Sequence, residues 1–177
     1  MKYVDPGSTR TLVSLDKINL QDLNQAAEAM ITSLRENFIN AGKLNGSGPN
    51  GLAVLKIERV INDTAEQWDP DLLTKKIRID LNRTGKVATT TTFGNDAESK
   101  IGQEQAQERQ FLNKGGGVLN PDYTLTGKVI EDRNRSGNRR EKVYVFQMTL
   151  TDIRNGLAIW EEEKPIVKQG SRSSVGW

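Results

Sequence analysis

The sequence predicts an α/β (α+β) fold, in which a mixed sheet of four to five strands is flanked by helices and ends in an antiparallel meander. One observation behind this prediction is the alternation of large apolar residues between Val143 and Ile153, the period of a strand with one buried face. The other is a strand, a helix and a strand between Leu52 and Phe93, a crossover unit that makes its two strands parallel.

The alternating stretch is followed by a turn and a second apolar strand, so a β-hairpin is predicted. A two-residue loop would move Trp160 off the face that carries the large side chains. A three-residue loop, closed by Gly156 in the left-handed conformation, pairs Ile153 with Leu157 and Leu150 with Trp160. The second register is favoured because it turns the aromatic side chains inward, as a core against which the first helix packs.

The other elements are predicted from apolar spacing and from residues that begin or end an element. Asn19 can cap a helix whose apolar residues recur every three or four positions, and Asp69-Pro70 is a typical helix start. Lys164-Pro165 interrupts the apolar pattern after the hairpin. In chain order the predictions are helix 20–40, strand 52–61, helix 70–82, strand 87–93, helix 97–113, strand 123–130 and a charged loop over 131–140.

The domain organisation follows from where these elements lie. We expect an extended N-terminal segment, the remnant of a tether, over residues 1–18, one globular domain over 19–169 and a flexible tail over 170–177. No apolar run approaches the roughly 18 residues that a membrane-spanning helix needs. The chain is therefore expected to behave as a water-soluble domain.

Composition excludes several kinds of catalytic and metal site. The 177 residues contain neither cysteine nor histidine, which excludes thiol catalysis, Ser-His-Asp triads and metal sites built on those ligands. A net charge of +2 is too small to indicate nucleic-acid binding. No cofactor, metal ion or catalytic residue is predicted, and the chain is expected to be a binding protein rather than an enzyme.

Three groups of polar residues are candidates for a functional site. Acidic residues 161–163 could do acid and base chemistry, but they also fit the solvated end of a strand. Arg139 and Arg140 in the charged loop could contact an anionic partner or form a solvated hairpin tip. The helix over 97–113 is so polar that it is either a solvated surface element or a recognition face. The predicted partner-binding residues are Gln103, Gln107, Gln110, Arg139 and Arg140.

Several stretches resemble a known protein family. Residues 52–91 match its pattern of an apolar strand, an Asn/Thr connection, a helix and a strand led by Gly-Lys. Residues 120–134 and 143–169 resemble its closing strands, in which a Gly-x-x-Ile-Trp return strand is typical, and YVDPGSTRTL near the N-terminus resembles the segment after the lipid-bearing region. The family is that of the LpoB-type outer-membrane lipoproteins, which activate peptidoglycan synthases.

The resemblance implies a globular α/β domain similar to the N-terminal domain of TolB, tethered on the periplasmic side of the outer membrane through a lipid anchor outside this sequence. It implies a class A penicillin-binding protein as partner, whose glycan polymerisation and crosslinking the domain stimulates without catalysis or cofactor. Related folds occur in curli-secretion and flagellar proteins, so a structural or assembly lipoprotein of the cell envelope is the alternative.

Overall fold

The structure is a computed structural model that describes residues 17–112, 118–136 and 139–170. In this part of the chain, helices flank a mixed six-stranded sheet, which confirms the predicted fold class. Of the predicted N-terminal segment 1–18 and the predicted tail 170–177, residues 1–16 and 171–177 lie outside the described residues. The elements are α1 (Leu20–Leu34, continued by a π-helical turn Arg35–Ile39), β1 (Ala53–Ile57), β2 (Ile61–Asp63), α2 (Pro70–Asn82), β3 (Val87–Thr90), α3 (Ala97–Phe111), β4 (Tyr123–Ser136), β5 (Arg139–Asp152) and β6 (Leu157–Gly170).

The sheet has the strand order β3-β1-β4-β5-β6, and β2 pairs with β4 beyond the end of β1. Strands β1, β3 and β4 are parallel, whereas β4, β5 and β6 form the predicted antiparallel meander. The prediction of a single strand over 52–61 is wrong, because the residues between β1 and β2 do not pair with a neighbouring strand. At this break the N–H of Val60 donates to the Thr74 hydroxyl of α2 at 3.0 Å, and the Val60 side chain is buried.

The strands of the meander are longer than predicted. The β4–β5 ladder runs over all 14 residues of each strand, so the loop predicted over 131–140 is wrong. Ion pairs lie beside this charged stretch and support the ladder there: Lys142 of β5 lies 2.7 Å from Glu66 and 3.5 Å from Glu131. Likewise, Pro165 does not end β6, since β6 is an edge strand where a missing N–H costs little.

The hairpin between β5 and β6 confirms the pairing of Leu150 with Trp160 but not the pairing of Ile153 with Leu157. The loop has four residues, and Asp152 pairs with Leu157. If regular pairing followed this four-residue loop, Trp160 would lie opposite a residue whose side chain is on the solvent-facing side of β5. A β-bulge between Leu150 and Thr151 adds one residue to β6 and restores Trp160 to the buried face, where it is 8% exposed.

Asp122, which lies just before β4, explains why the loop is longer than predicted. Its carbonyl oxygen accepts the N–H of Ile153 at 3.0 Å, which takes Ile153 out of the hairpin ladder. The Asp152 carboxylate accepts the backbone N–H and the guanidinium of Arg154, and Gly156 closes the loop with φ +72°. Tertiary contacts rather than the turn sequence therefore set the loop length.

The core lies between one face of the sheet and the helices α1 and α2. On β5, Tyr144, Phe146, Met148 and Leu150 are all at most 2% exposed, as their alternation predicts. Helix α1 lies against β5 and β6, and Lys168 of β6 forms an ion pair of 2.7 Å with Asp22 in the first turn of α1. The capping box of Asn19 and the Asp69 cap of α2 confirm both predicted helix starts.

Replacement of Trp160 by alanine is expected to lower the free energy of unfolding by about 3–5 kcal/mol, because it leaves a large cavity in the core. Leu157 lies on the same strand and is 61% exposed, so Leu157→Ala is the matched control, with an expected loss within about 0.5 kcal/mol. Urea denaturation followed by circular dichroism measures both values. An unchanged midpoint for Trp160→Ala would contradict the buried register.

Candidate partner-binding surfaces

Helix α3 is attached to the protein by its small residues. Ser99 is fully buried, Ala106 is 9% exposed, and Gly102 faces the chain just after β3. A Cβ atom on Gly102 would lie 1.8 Å from the carbonyl oxygen of Thr91, so only glycine allows this approach. These positions repeat every three or four residues and define the inner face of α3.

The large apolar residues of α3 lie on the opposite side. Ile101 is 55% exposed, Phe111 is 90% exposed and Leu112, directly after the helix, is 49% exposed. Glu104 and Glu108 are also exposed, and they fall between these apolar residues at helical spacing. We call Ile101, Glu104, Glu108, Phe111 and Leu112 the outer face of α3.

The three glutamines predicted as contact residues lie beside the outer face rather than at its centre. Gln103 is half-buried, and its side-chain amide donates to the carbonyl oxygen of Gly94 at 3.1 Å. Gln107 and Gln110 are exposed on the same flank. Gln103 thus has a structural hydrogen bond, while Gln107 and Gln110 are accessible to a partner.

A buried ionic cluster fixes α3 to α2. The Arg78 side chain is 4% exposed, and its guanidinium donates to Asp96 at 3.1 Å and to Glu98 at 2.8 Å. Lys75 also pairs with Glu98, and the Ser99 hydroxyl donates to Asp96. Two carboxylates from the start of α3 are therefore held by two cations of α2, which sets the orientation of α3.

The pKa values of the two carboxylates reflect these contacts. Burial acts to raise the pKa of Asp96, but the Ser99 hydroxyl and the Arg78 guanidinium outweigh it and hold this pKa below its ordinary value. The hydrogen bond from Lys75 is the largest cause of the lowered pKa of Glu98, with Arg78 adding to it. Both groups are therefore charged at neutral pH.

The two predicted arginine contacts lie at the start of β5 and not in a loop. Their side chains lie outside the described part of the structure, but the backbone register pairs Arg139 with Ser136 and Arg140 with Arg135. Arg139 and Arg140 are therefore the first two residues of β5, at the turn end of the β4–β5 ladder. Lys142 follows on the same strand, and its pKa is raised chiefly by its hydrogen bond to Glu66.

Helix α3 and the turn end of the β4–β5 hairpin lie far apart along the sheet. The start of α3 lies near the end of β1, because Gly94 comes close to the Ile57 carbonyl oxygen. The last residue of β1 pairs with Leu125 of β4. From there β4 continues to Ser136, which is about 35 Å away at the usual rise per residue of a strand. The glutamines and the arginines therefore do not form one continuous cluster.

The acidic residues 161–163 do not form a site. Glu161 accepts a hydrogen bond from the Thr149 hydroxyl at 3.1 Å, and Glu163 accepts one from Gln147 at 3.2 Å. Glu162, between them, has the opposite parity and lies on the other face of β6. Within residues 17–112, 118–136 and 139–170, no group of acidic side chains is arranged to hold a metal ion, and no helix is long and apolar enough to cross a membrane.

The comparison with known families decides which family the chain represents. The family model described as peptidoglycan-synthase activator LpoB matches residues 22–166, from the first turn of α1 to β6. The chain belongs to the LpoB family. The match includes α3 and the β4–β5 ladder, so both candidate surfaces belong to the LpoB domain.

Solved LpoB structures are similar to this chain. The C-terminal domain of LpoB from Escherichia coli has 18% sequence identity over 82% of this chain and 98% of that domain, with a TM-score of 0.49. The corresponding domain from Salmonella enterica has 16% identity over the same shares of the two chains and a TM-score of 0.48. The NMR structure of E. coli LpoB has 16% identity over 96% of this chain and 83% of that one, with a TM-score of 0.45. No curated protein sequence matches the chain.

Replacement of Arg78 by alanine is expected to destabilise the protein by about 3–5 kcal/mol at neutral pH, because it leaves Asp96 buried without its cation. Replacement of the exposed Arg83, directly after the same helix, by alanine is the matched control, with little expected change. The pKa of Asp96 is lower in the folded state than in the unfolded state, where it is about 3.9. The charged Asp96 therefore stabilises the folded state above about pH 3.9, and this stabilisation is lost as the pH falls through the folded pKa.

The difference in stability between the wild type and Arg78→Ala should therefore narrow as the pH falls from about 4 through the lowered folded pKa of Asp96, because protonation removes the charge that Arg78 balances. Urea denaturation at neutral and acidic pH measures this change. A difference that stays constant over the whole pH range would contradict the ionic role of Arg78.

Proposed function

We propose that this chain binds a class A penicillin-binding protein and activates it, regulating peptidoglycan synthesis without catalysing a reaction itself. The observation that carries the proposal is the LpoB family match over residues 22–166. A regulatory domain needs a stable scaffold and an accessible surface rather than a catalytic site. Among the described residues, α3 offers such a surface.

The roles of the buried carboxylates support a non-catalytic function. Asp96 is bound by Arg78 and Ser99, and Asp122 accepts the backbone N–H groups of Ser47 and Val54 at 3.0 and 2.9 Å. Such carboxylates are held in their charged form by structural partners. A general acid or base needs a pKa near the working pH and access to a substrate, and these groups have neither.

The proposed contact residues lie on two surfaces. Gln103, Gln107 and Gln110 flank the outer face of α3, and Arg139 and Arg140 lie at the start of β5. We propose that the native protein acts on the periplasmic side of the outer membrane, held there by a lipid anchor. The domain then reaches its synthase from the membrane opposite to the one that holds the enzyme.

The proposal is tested by measuring glycan-strand polymerisation by the purified class A synthase of the same organism, with and without this protein. We expect an increased rate that saturates with protein concentration and no polymerisation by the protein alone. The double variants Gln107→Ala/Gln110→Ala and Arg139→Ala/Arg140→Ala should weaken the stimulation. Gln147→Ala, an exposed glutamine on the sheet, is the control and should leave it unchanged. A synthase rate that never responds to the protein would refute the proposed function.

A further inference from the structure

Helix α3 reverses the usual arrangement of a surface helix. An ordinary amphipathic helix turns its large apolar residues toward the core and its polar residues toward water. In α3 the inner positions are Ser99, Gly102 and Ala106, whereas Ile101 and Phe111 are exposed to solvent. The core of the protein therefore gains almost no apolar contact from the large side chains of this helix.

The exposed apolar residues form one continuous face. Ile101, Glu104, Glu108 and Leu112 follow one another at intervals of three and four residues, so they form one row along the helix. Phe111 adjoins this row at its C-terminal end. Since the N–H of Leu112 still donates to the Glu108 carbonyl oxygen at 2.9 Å, the row keeps helical geometry to its end.

The protein holds this face in a fixed orientation. The ion pairs of Arg78 with Asp96 and Glu98 fasten the start of α3, and the close contact of Gly102 with Thr91 fastens its middle. A helix that is already ordered loses less conformational entropy on binding than a flexible segment does. The outer face is therefore preorganised for a partner.

Charge indicates the chemistry of that partner. Neither Glu104 nor Glu108 forms an ion pair with a residue in the described part of the chain, although both lie between apolar neighbours. Apolar residues interrupted by two exposed carboxylates fit a groove that is apolar at its floor and carries lysine or arginine at its rim. A second copy fits less well, because a two-fold contact between two α3 helices would bring the same glutamates together.

We propose that the outer face of α3, rather than its glutamine flank, is the principal docking element, and that it inserts into an apolar groove with a basic rim on the synthase. This inference rests on the proposed function and specifies its surface. Ile101 and Phe111 are the apolar anchors, and Glu104 and Glu108 select the orientation. The flank residues Gln107 and Gln110 contribute contacts at the edge of the interface.

The test compares the affinities of matched variants for the detergent-solubilised class A synthase by biolayer interferometry. Ile101→Ser/Phe111→Ser should bind at least about 30-fold more weakly, since two anchors are lost. Leu157→Ser removes another exposed apolar residue, outside α3, and should bind as the wild type does. Thermal denaturation should give the same Tm for all of these variants, because the replaced side chains are exposed.

Charge reversal supplies the second comparison. Glu104→Lys/Glu108→Lys should weaken binding about tenfold at low salt, and the difference should shrink as salt is raised, because salt screens exposed charges. Glu161→Lys, on β6, is its control and should have no comparable effect.

The outcomes separate this inference from the function on which it rests. If the wild type binds and stimulates the synthase while both α3 double variants keep full affinity, the outer face is not the docking element and the proposed function stands. If the wild type forms a dimer in sedimentation that Ile101→Ser/Phe111→Ser abolishes, a second copy covers the face and the inference is wrong. If the wild type does not bind the synthase, both proposals fail.

Discussion

The 14-residue antiparallel ladder between β4 and β5 is the constraint on which the rest of the structure depends. Side chains of a strand alternate between two faces, so a slip of one residue would move Phe146 and Leu150 from the core to solvent. The burial of every second residue therefore sets the register of β5, and β5 in turn sets the bulge that brings Trp160 inward. Helix α1 then packs on the apolar face that this register produces.

Completion of the core by α1 and α2 explains why α3 can serve another purpose. The large buried side chains come from the sheet and from these two helices, while α3 contributes only Ala106 to the buried apolar residues. Helix α3 is instead held by the ion pairs of Arg78 and by the close packing of Gly102 against the chain after β3. The core is therefore complete without the large apolar residues of α3, and these residues remain exposed.

Much of this fold is predictable because local patterns and tertiary structure agree. Helices α1 and α2, the parallel pairing of β1 with β3 and the pairing of Leu150 with Trp160 all follow from spacing, caps and alternation. Other features depend on contacts remote in sequence. Near the charged end of β5, Lys142 pairs with Glu66, and β1 ends close to the point where the N–H of Val60 donates to the Thr74 hydroxyl. No local pattern contains that information.

The candidate surface was predictable only in part. The polar composition of residues 97–113 correctly marks a surface helix, but its low amphipathicity conceals which side faces the protein. The glutamines were predicted as contact residues because the helix contains many of them, but the side-chain amide of Gln103 donates to the Gly94 carbonyl oxygen. Gly102 was the available signal, since a glycine inside a helix indicates a close approach of another backbone.

The most direct test is amide hydrogen exchange of the protein alone and mixed with the class A synthase that we propose as its partner. Docking through the outer face of α3 predicts slower amide exchange in the complex around residues 101–112, with unchanged exchange in the β4–β5 ladder that supports the core. Slower exchange confined to another surface, with α3 unaffected, would contradict it.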